Sequence, residues 1–462
     1  MSEMTEKAKE AVPLKLTGRV SRHVSEMLRL APAIVLARSG VILIVLVDTV
    51  MVGHHAALEL GYLAMGMSLM QPLIVTSLGL IMGTLVLSAH HFGAGELENC
   101  GRVWRRSIAY ATGLGVIGTV LSLFGETYLT WTGQSEELAR EGGKVMLILG
   151  LGLPGHLLFL ACSFFLEGIR RPTAGFIAIA CANMVNLALN WVLIGGGLSG
   201  LPDGAMGAAL ATSVSRWLVA AAMIVYVLFL PEGQVFGIRR RAGGSWSSWK
   251  HQRRLGYATG VSLAVESGAF TTVQQFAGWL GPIPLAAFTA AFYMLVVSFM
   301  VAIGFGAATT VRVGNAHGRR NIRDMALAGW TGLGLTVVVT GIIGVFLVAF
   351  DKTLISVFTD DPAVAVLAVP LVFWVAAALI SDGGQAVMAS ALRGRQDVWT
   401  ACYIQTFAFI GILVPLTWYL VFPMGMGSTG IFQGVLGSTV VTIILLSLRF
   451  YWLYRRDLRE EI

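Results

Sequence analysis

The chain is 462 residues long; 56% of it is hydrophobic and only 12% is charged, against roughly 25% charged in an ordinary soluble domain. With a mean hydropathy of +0.76, it has too few polar side chains to cover a soluble surface, which excludes a soluble enzyme, a nucleic-acid-binding domain and a disordered scaffold. An all-α polytopic membrane protein remains, and the net charge of +7 has to be located before it says anything about partners.

Residues 1–29 are polar and charged, without the h-region of a secretory signal, and are expected to form a cytoplasmic tail. Twelve apolar runs of spanning length follow, at about 30–53, 63–89, 103–125, 145–168, 172–195, 205–230, 255–280, 284–311, 325–350, 363–392, 397–422 and 428–453. They do not alternate as barrel strands do. The first carries Arg38, and Asp48 five residues before Gly53. The second leads into FGAGELEN at 92–99. The fourth holds His156 and closes on LEGIRRP at 166–172. The fifth places Asn183, Asn186 and Asn190 on one stripe, with Asn190 at the depth of Asp48. Arg216 lies in the sixth. A Gly-, Ser- and Arg-rich stretch at 231–254 reads as a linker between a first lobe, 30–230, and a second, 255–453. The seventh run carries Glu266 and, eight residues on, Gln274; the eighth leads into NAHGRRNI at 315–322. The tenth carries Asp382, Gly383, Gly384 and Gln385 and closes on LRGRQDV at 392–398. A short tail, 454–462, ends the chain. The four cysteines have no CxxC spacing and imply neither a disulfide framework nor a metal site.

Of the 32 basic residues, 27 fall in the two tails, the even-numbered loops and the helix ends beside them. The runs include Arg102, Arg105 and Arg106, then Arg239, Arg240 and Arg241, then Arg319, Arg320 and Arg323. Only Arg140, Lys144 and Lys352 fall on the other side. Basic loops stay cytoplasmic, so both termini are expected there, and the charge is a topology signal. The halves also resemble each other. The FGAGELEN and NAHGRRNI segments each carry a glycine three residues from the start, Gly95 and Gly318, and Gly168 falls in register with Gly394. Parallel six-helix repeats are a transporter architecture, with the substrate site between them.

Intramembrane acids cost about 2.5–3.5 kcal/mol on insertion scales and point to function. Glu266 follows Arg254, and Asp382 precedes Arg393, by roughly three helical turns, which puts both acids about 17 Å from the cytoplasmic face. They are expected to share one site with Gln274 and Gln385, where Gly383 and Gly384 loosen the helix and free carbonyls for a cation. Asp48, Asn186 and Asn190 are expected to form a second site, with Na⁺ possible at either. Asn183, the most cytoplasmic of the stripe, has interhelical glue as its alternative reading. Arg38 and Arg216 read as snorkelling or paired groups, and His156 as a hydrogen-bonded core histidine. Met65, Met67, Met70, Phe288, Phe292 and Met294 read mostly as packing or lipid-facing. No phosphate-binding loop suggests a primary pump, so energy must come from an ion gradient.

VDTVMVGH at 47–54, NLALNWVLIGG at 186–196 and SDGGQAVMASALRGRQD at 381–397, together with Glu266, resemble the multidrug and toxic compound extrusion (MATE) family, particularly its bacterial NorM-like branch. The resemblance runs from about 30 to 450. It implies the MATE fold: twelve transmembrane helices in two pseudo-symmetric six-helix lobes, V-shaped around a central cavity. It implies antiport of cationic or zwitterionic drugs against Na⁺ or H⁺, with no catalysis and no cofactor, in a monomer of the bacterial inner membrane. Asp48, Asn186 and Asn190 match its first-lobe cation site, and Glu266 and Asp382 the acids of its second-lobe site. Ala378 stands where that branch often has a tyrosine, which leaves the coupling ion open. A flippase-like exporter of a lipid-linked precursor is the alternative, and would need a cavity lined by Arg and Lys.

Overall fold

The computed structural model describes residues 16–195, 200, 202–240, 245–359 and 361–461. Positions 1–15 of the expected N-terminal tail, Gly196 of the fifth-span motif, Arg241 of the linker and Ile462 of the C-terminal tail lie outside the described residues. Twelve long helices occupy the twelve predicted runs: α1 (Leu16–His55), α2 (Leu58–Ala94), α3 (Leu97–Ser122), α4 (Glu136–Gly168), α5 (Thr173–Leu193), α6 (Gly204–Leu228), α7 (Lys250–Trp279), α8 (Pro282–Gly318), α9 (Ile322–Ala349), α10 (Pro362–Gly394), α11 (Val398–Val421) and α12 (Gly427–Glu461). No strand occurs among the described residues.

Ten of these are long and apolar enough to cross a membrane, and α3 joins them only together with the short helix Gly125–Trp131, bent from it by 57°. The helix outside that set is α7. Its polar start, KHQRR, and Glu266, Gln274 and Gln275 dilute its apolar character.

Hydropathy located the apolar part of each helix and not its ends. The first helix begins at Leu16, inside the expected tail, and the last continues to Glu461. Charged turns extend both, because ion pairs satisfy their polar faces. Helix α4 is interrupted at Gly152, ahead of Pro154, whose ring cannot continue the ladder. A π-helical stretch, Phe407–Leu413, precedes Pro415 in α11.

Phe159, Phe164 and Phe165 centre the core of the first half, and Phe288, Phe409 and Phe432 that of the second. Backbone contacts give the symmetry between them. Gly93 on α2 has no room for a Cβ because the backbone of Asn315 fills it, and Gly318 on α8 faces the backbone of His90 in the same way. Asn315 corresponds to His90 and Gly318 to Gly93 at one shared offset along the chain, so the contact is self-complementary. Gly168 packs on Leu85 and Ser88, and its counterpart Gly394 on Thr310 and Val313, again in register. The expected pairing of Gly95 with Gly318 is therefore two residues off. The counterpart of Gly95 is Arg320, and both take positive φ, 79° and 56°. Arg170 and Gln396 form a second such pair, at 67° and 71°. At these two turns the backbone geometry repeats where the residue type does not.

On the side where α1 begins, the halves are tied by ions. Asp324 at the start of α9 accepts from Arg19 at 3.1 Å, Arg22 at 2.9 Å and Arg319 at 3.2 Å. Buried His23 stands 3.3 Å away. Glu26 bridges Arg170 of the first half and Arg312 of the second. The corresponding contact on the other side is uncharged on one partner: His251 Nε2 lies 2.9 Å from Gln396 Oε1.

Candidate functional site

Two polar clusters are buried in the bundle, one in each half. In the first, Asp48 on α1 is wholly buried. Asn186 and Asn190 stand one turn apart on α5, so both amides face it. Asn190 Nδ2 donates to Asp48 Oδ1 at 2.7 Å, and Asn186 Nδ2 to the same oxygen at 3.2 Å. Thr212 Oγ1 on α6 donates to Asp48 Oδ2 at 2.5 Å and accepts from Asn186 Nδ2 at 3.0 Å. Asn190 Nδ2 also reaches Asn186 Oδ1 at 3.2 Å. The acid is thus saturated by three donors, the pattern that stabilises an ionised carboxylate. Asn190 Oδ1 is buried without a partner.

Asn183 does not join. It donates to the carbonyls of Gly40 at 2.9 Å and Ile179 at 2.8 Å, and so ties α5 to α1 as glue. Arg216 lies one turn from Thr212, buried, with Nη1 unpartnered. Arg38 is paired: it donates to Glu167 at 2.7 Å and stacks 4.8 Å from the Phe164 ring centroid. His156 is buried beside Phe159, and no hydrogen bond from its ring to another described residue accompanies that packing.

In the second cluster Asp382 Oδ1 accepts from Gln385 Nε2 at 3.1 Å. Gln385 Oε1 accepts from Gln405 Nε2 at 3.0 Å, and Gln405 Oε1 accepts from Arg393 at 3.2 Å and from Ser262 at 2.5 Å. This relay connects α10, α11 and α7. Glu266 is half-buried on α7, one turn beyond Ser262. Gln274 is exposed, and among the described residues it has no hydrogen bond to the cluster. Gly383 and Gly384 do not loosen α10, which is continuous from Pro362 to Gly394. Gly383 instead packs on Ala302, Thr336 and Thr340, and Gly384 on Ile443. Met70, Phe288 and Met294 are buried in the cores, Phe288 and Phe292 stack at 5.4 Å, and Met65 and Met67 pack at the core's edge.

Sequence reasoning missed Thr212, Ser262, Gln405 and Glu167. Hydroxyls in helices usually bond their own backbone and carry no signal. Thr212 could have been found from its i, i+4 spacing to Arg216. Glu167 was hidden because it ends its span beside Arg170 and Arg171.

The family model described as MatE matches residues 33–192 and 258–419. A probable multidrug resistance protein NorM of Caulobacter vibrioides is 32% identical over 96% of this chain and 95% of its own. One of Mesorhizobium japonicum is 30% identical over 94% of each. Among solved structures, the eukaryotic MATE transporter AtDTX14 superposes with a TM-score of 0.84 at 21% identity, covering 96% of this chain and 99% of that one. An outward-facing multidrug resistance MATE family transporter of the MOP superfamily superposes at 0.87 with 18% identity, over 94% and 96%.

Proposed function

The chain belongs to the MatE family, and from that premise we propose that it is a cation-coupled antiporter. It exports organic cationic or zwitterionic compounds from the cytoplasm by alternating access between lobes 30–230 and 255–453, joined by the linker 231–254. The multidrug resistance named for its relatives supports the substrate class. The basic loops support an inner-membrane orientation with both termini cytoplasmic. In this reading the protein works as a monomer, without cofactor or catalysis.

One observation carries the coupling: a wholly buried acid, Asp48, held by Asn186, Asn190 and Thr212 and by no salt bridge among the described residues. A buried carboxylate must be neutralised or solvated by donors. Loading a proton on Oδ2 needs only that the Thr212 hydroxyl turn from donor to acceptor, which a hydroxyl can do. Loading Na⁺ needs several oxygens presented to it, and both amide nitrogens here point at Asp48, which leaves Asn190 Oδ1 as the one unpartnered oxygen of the pair. The proton is therefore the ion that this arrangement serves with less rearrangement. Asp382 and Glu266, with Gln385, form the second coupling and substrate site. Two acids that interact in low dielectric cannot both stay unpaired, so an arriving cation and a proton compete for them. The lipid-precursor alternative needs a cavity lined by Arg and Lys, and of the two cations inside the first-lobe spans Arg38 is paired with Glu167, which leaves Arg216 alone to serve it.

The test is efflux from proteoliposomes under independently imposed gradients. A pH gradient alone drives export, and a Na⁺ gradient at equal pH does not. Export under Na⁺ alone would overturn the choice of ion; export under neither would overturn antiport.

A further inference from the structure

Lys250, Arg253, Arg254 and Tyr257 of α7 face Trp399 and Tyr403 of α11 across a cavity of about 460 Å³. We propose that this cavity binds the phosphate of an anionic phospholipid headgroup.

Its lining holds three cations and no acid. Lys250 and Arg254 are exposed and have no carboxylate partner among the described residues. The nearby acid at the start of α11, Asp397, is already held by Arg449 Nε at 2.8 Å. Arg253 is only 8% exposed. Its guanidinium lies 3.8 Å from the Trp246 ring centroid and donates Nη1 to the Trp246 carbonyl at 2.5 Å. Its Nε is buried without a partner.

The cations of this lining are left for an anion from outside the chain. The aromatic groups select a lipid over a free phosphate. Tyr403 is 65% exposed, Tyr257 41%, and Trp399 stands 5.9 Å from Tyr403. Amphipathic rings beside cations occupy the headgroup level of a bilayer, where a glycerol backbone and the first acyl carbons would lie on them.

The experiment titrates the full-length protein in nanodiscs with phosphatidylglycerol and with phosphatidylcholine, and reads bound lipid by native mass spectrometry. The wild type is expected to retain phosphatidylglycerol preferentially. Each surface cation contributes about fivefold, so K250Q/R254Q should bind it roughly thirtyfold more weakly. The charge-conserving K250R/R254K should keep the preference. Equal retention of the two lipids, unchanged binding in the glutamine variant, or loss in the charge-conserving one would each overturn the site. Inorganic phosphate that displaces phosphatidylglycerol at equal concentration would overturn the lipid assignment.

Discussion

The two buried clusters occupy one repeated backbone and do different chemistry. In the first half one acid, Asp48, collects three donors from α5 and α6. In the second half Asp382 has a single amide donor, Gln385, and the second acid, Glu266, lies on α7 one turn from the relay's Ser262. In the register that aligns Gly394 with Gly168, the counterpart of Asp382 is His156, and that of Arg393 is Glu167. Equivalent positions on α4 and α10 thus carry unlike side chains, and each half solves the burial of its polar groups separately. Glu167 is answered by Arg38 on α1; Arg393 is answered by Gln405 on α11. Duplication supplied the frame, and single side chains made one half a closed acid site and the other an open one.

The open site should be the more sensitive. Glu266→Gln and Asp382→Asn are expected to abolish drug resistance with expression intact, the largest of the expected effects. Transport by both at the wild-type rate would show the second cluster to be structural. At the closed site the Thr212 hydroxyl is the probe. Thr212→Val leaves a buried carboxylate oxygen without its donor, a cost of about 1.5–3 kcal/mol for a bond to a charged group. Efflux should fall roughly 10- to 100-fold. Thr212→Ser should restore most of it, and a serine variant as poor as valine would point to packing instead. The smallest effect is expected at Gln274, which is exposed and away from the relay. Gln274→Ala should leave efflux within about twofold, near the roughly ±0.5 kcal/mol of an ordinary surface change. A larger loss would extend the second site outward along α7.

Much of this contrast was legible in the residues. Acids are so costly in an apolar run that Asp48, Glu266 and Asp382 stand out singly, and the helical period placed Asn186 and Asn190 on the right face. The relay through Gln405 and Ser262 was not legible, because it depends on how α7, α10 and α11 cross, which no local pattern encodes. Hydropathy counted the spans but missed the charged turns of α1 and α12, since a helix paired by ions needs no apolar face there. The glycines at 383 and 384 misled for a related reason. Their composition suggests a weak helix, whereas in the fold they pack closely on Ile443 and Thr340 within a continuous α10.

The ionic tie around Asp324 has a consequence for how the molecule is built. Its partners Arg19 and Asp324 stand 305 residues apart in the chain. At about 5–20 residues per second of synthesis, α1 waits roughly 15–60 s before α9 emerges. Contacts of such long separation form after local ones, because loop closure comes before their reward. The first six helices therefore assemble around their own aromatic core while Arg19, Arg22 and Glu26 still lack their second-half partners. The network can close only once α9 has emerged, while α10 to α12 are still to be made.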